Sequence, residues 1–354
     1  MMNPSRKSSQ LGSIRRRAVA LQSEDLVEFG FLPGYDNCPL VIEARVERLR
    51  LSDWTAGRRK ELEELVARHG SVLLRGFAVT NLADFEDCVE KMCGGALEYR
   101  FRASPRTEVG RHVYTSTNYP ADQSIFPHNE HSYSPICPTY LVLYCETPAS
   151  EGGETPIGDN REITRRIDIG VRERFLRRGV LYVRNYGAGF GLPWQTVFQT
   201  DDRAEVERYC ASLGIEWRWK SDNKLCTRQV GPAMIRHPRT SEEIWFNHAT
   251  FFHVTTLPVT VRDAMLGEFD EDDLPTQTYY GDGTPIEAEV LEHLRSVYRE
   301  ALRSFAWRSS DVLLVDNILT VHGRTPYSGF RRVLLAMAQA FSPLACAIGS
   351  GVEI

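Results

Sequence analysis

The chain has no apolar run approaching the roughly 18 residues that would cross a bilayer, and no apolar segment follows its N-terminal charges. Neither a membrane span nor a secretory signal is expected. It has no C-x-x-C pair: Cys38, Cys88, Cys93, Cys137, Cys145, Cys210, Cys226 and Cys346 are scattered along the length. Zinc ribbons and thioredoxin-like sites need close pairs, so these read as separate reduced thiols of a cytoplasmic protein. Nor is there an excess of positive charge, since 42 basic side chains face 47 acidic ones for a formal net charge of −5. Nucleic-acid binding wants the opposite balance and is not expected. There is no G-x-S-x-G elbow and hence no α/β-hydrolase nucleophile. Gly187-Ala188-Gly189-Phe190-Gly191 runs into Leu192-Pro193, which cannot open a dinucleotide-binding helix, so it reads as a mobile loop near the site. With no repeat and no low-complexity tract either, what remains is an ordinary globular composition suited to small-molecule chemistry.

At 354 residues the chain exceeds the roughly 250–300 at which single cores stop growing. Residues 1–20 carry Arg6, Lys7, Arg15, Arg16 and Arg17 without an acid and are expected to be a basic flexible tail. An extended stretch begins at Pro39. The spacing of Leu62, Leu65, Val66 and His69 predicts a helix over 58–69, stopped by Gly70. A buried strand follows over 71–77, and a second helix over 83–92. Between Pro127 and Ile157 the pattern is strand, turn, strand, with 140–145 central and Glu151-Gly152-Gly153 turning. Thr284-Pro285-Ile286-Glu287 has the form of a capping box opening a helix with Ile286, Val290, Leu294, Val297, Tyr298 and Ala301 as its buried stripe. A final strand pair is expected over 311–321 and 331–341. Core strands over 70–158 and 306–343, separated by a helix-rich insertion over 159–305, predict one α+β, mainly β domain from 21 to 354, its core closed by both ends of the chain.

Chemistry-bearing residues are few. His128-Asn129-Glu130, read as strand, places an imidazole and a carboxylate on one face, because the strand period is two. Alone such a pair is commonplace. His322, at the end of the largely apolar strand expected over 311–321, adds the third member of a two-histidine, one-carboxylate facial triad, the ligand set that leaves open positions on a non-haem Fe(II). Ten residues on, Arg332 shares a strand face with Leu334, Ala336, Ala338 and Ala340, while Arg331, Val333, Leu335 and Met337 share the other. An arginine heading a row of alanines reads as lining a space, which makes Arg332 the candidate clamp for the far carboxylate of 2-oxoglutarate and Arg331 the solvated or structural partner. The formal charges of Fe(II), Glu130, the 2-oxoglutarate dianion and Arg332 then cancel.

At these residues, and along 69–77, 114–126, Gly152-Gly153-Glu154-Thr155-Pro156-Ile157, Gly191-Leu192-Pro193-Trp194-Gln195, Trp245-Phe246-Asn247-His248 and Tyr279-Tyr280-Gly281-Asp282-Gly283, the chain resembles the TauD/TfdA superfamily of Fe(II)/2-oxoglutarate-dependent dioxygenases. It is most similar to the syringomycin aspartyl-hydroxylase-like branch of nonribosomal peptide pathways. The resemblance implies a double-stranded β-helix (jelly-roll, cupin-like) core. It further implies Fe(II) on His128, Glu130 and His322, 2-oxoglutarate on Arg332 with the Thr155 hydroxyl, and consumption of O2 with release of succinate. Halogenating relatives have Ala or Gly in place of the metal carboxylate, so Glu130 favours hydroxylation. Taurine-type enzymes carry a sulfonate-binding arginine where this chain has Ala336, so an amino-acid unit is the expected substrate, either free or presented by a peptidyl carrier protein, with attack at the β-carbon. Asn118, His131 and Asn247 are candidate substrate contacts. Epoxidation, desaturation or cyclisation, a free amino acid such as arginine, and a non-catalytic jelly-roll binding protein are the rival expectations.

Overall fold

Alternation decides which way each strand of the principal sheet looks. In Ser71–Arg75, Val72 and Leu74 pack to one side and Leu73 to the other. The same division holds for Val142 against Leu141 and Leu143, and for Leu314 against Leu313 and Val315. The computed structural model describes residues 26–35, 37–98, 101, 103–187 and 191–349. The tail over 1–20 and residues 188–190 of the glycine-rich segment lie outside the described residues.

Eight strands form this sheet in the order Val27–Phe31, Leu40–Ala44, Ser71–Arg75, Val312–Asp316, Cys137–Thr147, Arg332–Phe341, Val113–Thr115 and Glu108–Gly110. Only the second and third pair in parallel. Early and late segments of the chain therefore interleave, as the expected core requires. One face lies beneath the helices Leu51–Thr55, Arg59–His69 and Leu82–Cys93, burying Trp54, Leu62, Val66, Phe85, Val89 and Met92 against it. Asn81 starts the third helix by accepting the Asp84 N–H at 2.9 Å, and Gly94 ends it in the left-handed conformation. The opposite face meets a four-stranded sheet of Leu302–Arg303, Ile157–Asp159, Thr320–Arg324 and Ile125–His128 across a cluster that includes Leu141, Leu313, Val333, Leu335, Ile157 and Trp307.

The sequence predicts one strand over 311–321, and the chain instead forms two. The Asp316 carboxylate accepts the N–H groups of Ile318 and Leu319 at 2.9 and 3.1 Å, turning the backbone so that Val312–Asp316 stays in the large sheet and Thr320–Arg324 crosses to the small one. That turn delivers His322 to the sheet that carries His128. The expected capping box at Thr284 is not formed either. The helix spans Ala288–Ala301, Thr284 bonds Asp282, and the Glu287 carboxylate goes to the Tyr280 hydroxyl and Arg174. Val290, Leu294, Val297, Tyr298 and Ala301 of the expected stripe are buried on it, and Ile286 is buried just before it.

Residues 160–301 hold a further sheet, Glu216–Trp219, Leu225–Gly231, Val180–Tyr186 and Thr276–Tyr280, packed with helices around Tyr182, Tyr186, Trp194, Trp245 and Phe252. All eight cysteines are unpaired and six are buried. Among the described residues no helix is long and apolar enough to cross a membrane.

Candidate metal centre and adjoining pocket

His128 is the last residue of Ile125–His128, and His322 stands directly opposite it on Thr320–Arg324. Their rings are 4.6 Å apart. Gly323 permits this pairing, since a Cβ there would lie 2.7 Å from the Ile125 carbonyl oxygen. Glu130 is not on the strand, contrary to the sequence expectation. It sits in the following turn, where Asn317 grips its backbone, accepting the Glu130 N–H at 2.7 Å and donating to the Glu130 carbonyl at 2.9 Å. Asn129 donates to the carbonyls of Asn317 and Thr320 at 2.6 and 3.1 Å, and Asn160 to Asn129 and the Ile318 carbonyl. Three buried amides thus tie the turn bearing Glu130 to the turn preceding His322.

The result is one cluster: a ligand atom each from His128, Glu130 and His322, all within 4.8 Å of one another. The His128 Nδ1–H donates to the Phe126 carbonyl at 2.9 Å, which leaves Nε2 to face the cluster. His322 Nδ1 is buried with no hydrogen-bond partner among the described residues, and its Nε2 lies 4.0 Å from the Glu130 carboxylate. Burial pushes His128 below the usual imidazole range. Burial, with His128 alongside, pushes His322 down to about 3. For Glu130 burial works the other way, but the Arg106 guanidinium 2.9 Å from its Oε2, followed by His131, His128 and His322, overrides it and holds the carboxyl at about 2. Two neutral imidazoles and an ionised carboxylate are the state in which these groups bind a divalent transition metal, so the donor set fits Fe(II).

This electrostatics has a consequence for stability. A histidine kept neutral in the folded protein but protonated in the unfolded chain favours unfolding once the pH falls below its unfolded value near 6.5. The loss continues toward about 4 for His131 and about 3 for His322. Each such group steepens the fall by up to about 1.4 kcal/mol per pH unit. The melting temperature of the metal-free protein should drop between pH 7 and pH 5, with a shallower slope in His322→Ala. A flat profile would contradict the buried neutral state. Asn317→Ala should lower stability by about 2–4 kcal/mol through its buried unpaired partners and weaken metal binding about 10–100-fold, read by denaturant titration and Co(II) titration. Unchanged metal affinity would show that the amides do not position Glu130.

His128 and Glu130 open onto a cavity of about 410 Å³. Its walls are largely aromatic and aliphatic, including Phe126, Tyr133, Phe251, Phe252, Leu257 and Met265, with Arg106, Arg184, Asn118 and His248 among its polar members. His248 stands 5.8 Å from the His128 ring, its Nδ1 2.5 Å from Ser132 Oγ, and burial holds it neutral.

The two strand arginines stand the other way round from the sequence expectation. Arg332 points outward, 41% exposed, with its Nε 2.7 Å from the Glu146 carboxylate. Ala336 and Ala338 pack beneath the helical layer with Phe85, Val89 and Met92, so the alanine row marks the close approach of helices and not a space for ligand. Arg331 shares the inward side with Val333, Leu335 and Met337. It donates to the Gly153 carbonyl at 2.9 Å and reaches Ser116 Oγ at 3.4 Å, and no carboxylate of a described residue lies within 4.0 Å of it. Burial, then Arg324, pushes it down to about 10, so it is a cation at neutral pH. Thr155, two residues along from Gly153, is buried and accepts from the Trp307 indole at 3.0 Å.

Of the candidate substrate contacts, only Asn118 lines the cavity. His131 is buried behind Glu130, 3.9 Å from its Oε1. Asn247 serves the backbone, donating to the Ala233 carbonyl and accepting from the Ala249 N–H. Sequence reasoning missed Arg106, Arg184 and His248, which reach the cavity only through tertiary folding. An arginine following the apolar and aromatic run Val180 to Val183 was the one local signal.

Comparison with known proteins agrees with this geometry. Residues 35–338 match the family described as taurine catabolism dioxygenase TauD, TfdA family. The chain is 38% identical over 284 residues to the dapdiamide synthesis protein DdaC of Enterobacter agglomerans, covering 80% of this chain and 86% of that protein. It is 30% identical over 289 residues to a clavaminate synthase-like protein of Arabidopsis thaliana, covering 78% and 84%. The solved structure of PvcB, an Fe, alpha-ketoglutarate dependent oxygenase from an isonitrile synthetic pathway, shares the fold with a TM-score of 0.54 at 17% identity, over 93% of this chain and 98% of that one. The chain belongs to the TauD/TfdA family and is an Fe(II)- and 2-oxoglutarate-dependent oxygenase.

Proposed function

We propose that His128, Glu130 and His322 hold the iron, that Arg331 and not Arg332 receives the far carboxylate of 2-oxoglutarate with Thr155 close by, and that the enzyme hydroxylates an unactivated C–H of an amino-acid unit. The two facing sheets are then the halves of a double-stranded β-helix core, in a single domain over 21–354. The observation that carries the reading is the continuity of the His128, Glu130 and His322 cluster with a largely apolar and aromatic cavity, whose volume of about 410 Å³ falls in the range of small-ligand pockets.

When bound, Fe(II) with 2-oxoglutarate and O2 supplies an oxidant able to take hydrogen from a C–H bond, with release of succinate and CO2. This chain's residues supply everything else. The three amides hold Glu130 and His322 in register, and the Phe126 carbonyl fixes the His128 ring. Arg106 keeps Glu130 ionised. Phe251, 4.3 Å from the His128 ring, and Phe252 exclude water beside the reacting carbon. The similarity to a protein named for dapdiamide synthesis supports a role in secondary-metabolite biosynthesis, with the β-carbon of a free or carrier-bound aminoacyl unit as the target. Aerobic incubation with Fe(II), 2-oxoglutarate and matched free and carrier-bound aminoacyl substrates should give substrate-stimulated succinate and a product heavier by one oxygen atom. A product lacking two hydrogens would move the outcome to desaturation, and no substrate in either class would remove the amino-acid assignment.

A further inference from the structure

His237 stands in the turn between Met234–Arg236 and Glu243–Trp245, a two-stranded hairpin whose chain runs on into His248, Phe251 and Phe252 of the cavity wall. The turn closes on its own backbone: the His237 N–H goes to the Glu242 carbonyl at 2.8 Å and the Ser241 N–H to the His237 carbonyl at 2.9 Å. The ring is used at both nitrogens. Nδ1 accepts the N–H groups of Arg239 and Thr240 at 3.2 and 3.0 Å, which puts the ring proton on Nε2, and Nε2 donates to Asp316 Oδ2 at 3.0 Å. The two side chains are 2% and 1% exposed. Neither lines the cavity or belongs to the metal cluster.

Asp316 connects this bond to the metal. Its other oxygen, Oδ1, accepts both the Ile318 and the Leu319 N–H, making the turn that hands the chain from the large sheet to the small one just before His322. Asn317, inside that turn, holds the Glu130 backbone at its N–H and its carbonyl. Because both turn bonds end on a single oxygen, they leave the carboxylate able to swing about them. A donor on Oδ2 stops that rotation and satisfies a buried acceptor, and among the described residues His237 supplies it. The position of two of the three metal ligands therefore depends on a carboxylate whose own orientation is set from the hairpin.

We propose that His237 is a positioning residue for the iron: through Asp316 it fixes the turn that sets His322 and, by way of Asn317, Glu130 in register. This rests on the proposed metal site and extends it to the hairpin that carries on into the cavity wall.

The test is Co(II) titration of the metal-free wild type, His237→Gln and His237→Asn, followed by the ligand-field absorption of the bound ion, with circular dichroism reporting the fold. Glutamine places an N–H donor where Nε2 stands and no acceptor where Nδ1 stands, so it keeps the bond to Asp316 and loses the two hairpin amides. Asparagine, shorter by a carbon, does the reverse. His237→Gln should bind Co(II) within about threefold of wild type with its absorption bands unmoved, and His237→Asn about 10–100-fold more weakly with its bands shifted. A side chain that served only the hairpin would give the opposite ranking. That ranking, equal affinities in all three proteins, an equal loss in both variants, or failure of either variant to fold would overturn the positioning role. His322→Ala tests the metal site without reference to His237: no Co(II) uptake by wild type, or uptake undiminished in His322→Ala, would refute the site itself and the role of His237 with it.

Discussion

His322→Ala should leave a folded protein that neither retains iron nor forms succinate. The ring is buried, neutral and without a hydrogen bond at Nδ1, so its removal leaves no charged partner stranded and only a modest cavity. Its loss of function should exceed the roughly 10–100-fold typical of changes one shell further out. Glu130→Ala should abolish turnover as well, but with a second effect that separates the two variants. Glu130 pairs with Arg106, whose side chain is 5% exposed, and removing one member of this buried ion pair should lower stability by about 3–5 kcal/mol. Equilibrium unfolding of both metal-free variants, with iron content and succinate assays, checks the pair. Full turnover in either variant would dismiss the metal assignment, and equal stability of the two would dismiss the role given to Arg106.

Arg331→Gln should raise the 2-oxoglutarate requirement about 10²–10³-fold, while Arg332→Gln should change it less than about threefold. A cosubstrate carboxylate buried without its guanidinium loses about 3–5 kcal/mol, and each 1.4 kcal/mol is a factor of ten in affinity. Arg332, exposed and beside Glu146, is an ion pair of the outer surface, where such pairs contribute about 0–1 kcal/mol. The measurement is the dependence of succinate formation on 2-oxoglutarate concentration in the two variants. The reverse ranking would return the clamp to Arg332.

These two adjacent residues also show where reading a sequence stops. Alternation correctly divided 331–341 into two faces, but nothing local says which face is inner. Small alanines suit a cavity wall and a close helix equally well, and the helices that settle it, among them Leu82–Cys93, lie some 240 residues away in the chain. A bulge at Glu146 on the neighbouring strand, where Arg332 faces Thr147 and Val333 faces Cys145, is likewise invisible from 331–341 alone. The grouping of His128, Glu130 and His322 was legible because their residue types are rare in that combination and His322 ends a largely apolar segment. The strand break at Asn317 was not, because it depends on Asp316 turning onto the next backbone amides and on Asn317 finding the Glu130 backbone. The three helices placed from the sequence lie within a few residues of Arg59–His69, Leu82–Cys93 and Ala288–Ala301, whereas Asn160–Arg166, Ile169–Arg178, Arg203–Ser212 and Val259–Glu268 were not placed. The cavity did not, since Arg106, Arg184 and His248 come from three distant segments.

The central claim is that one iron, held by His128, Glu130 and His322, binds 2-oxoglutarate in this chain. Its most direct measurement is an anaerobic titration of the wild-type protein with Fe(II) and then 2-oxoglutarate, followed by absorption. A metal-to-ligand charge-transfer band that saturates at one iron and one 2-oxoglutarate per chain, and is absent in His322→Ala, is the predicted result. A folded wild-type protein that develops no band, or a band undiminished in His322→Ala, would contradict it.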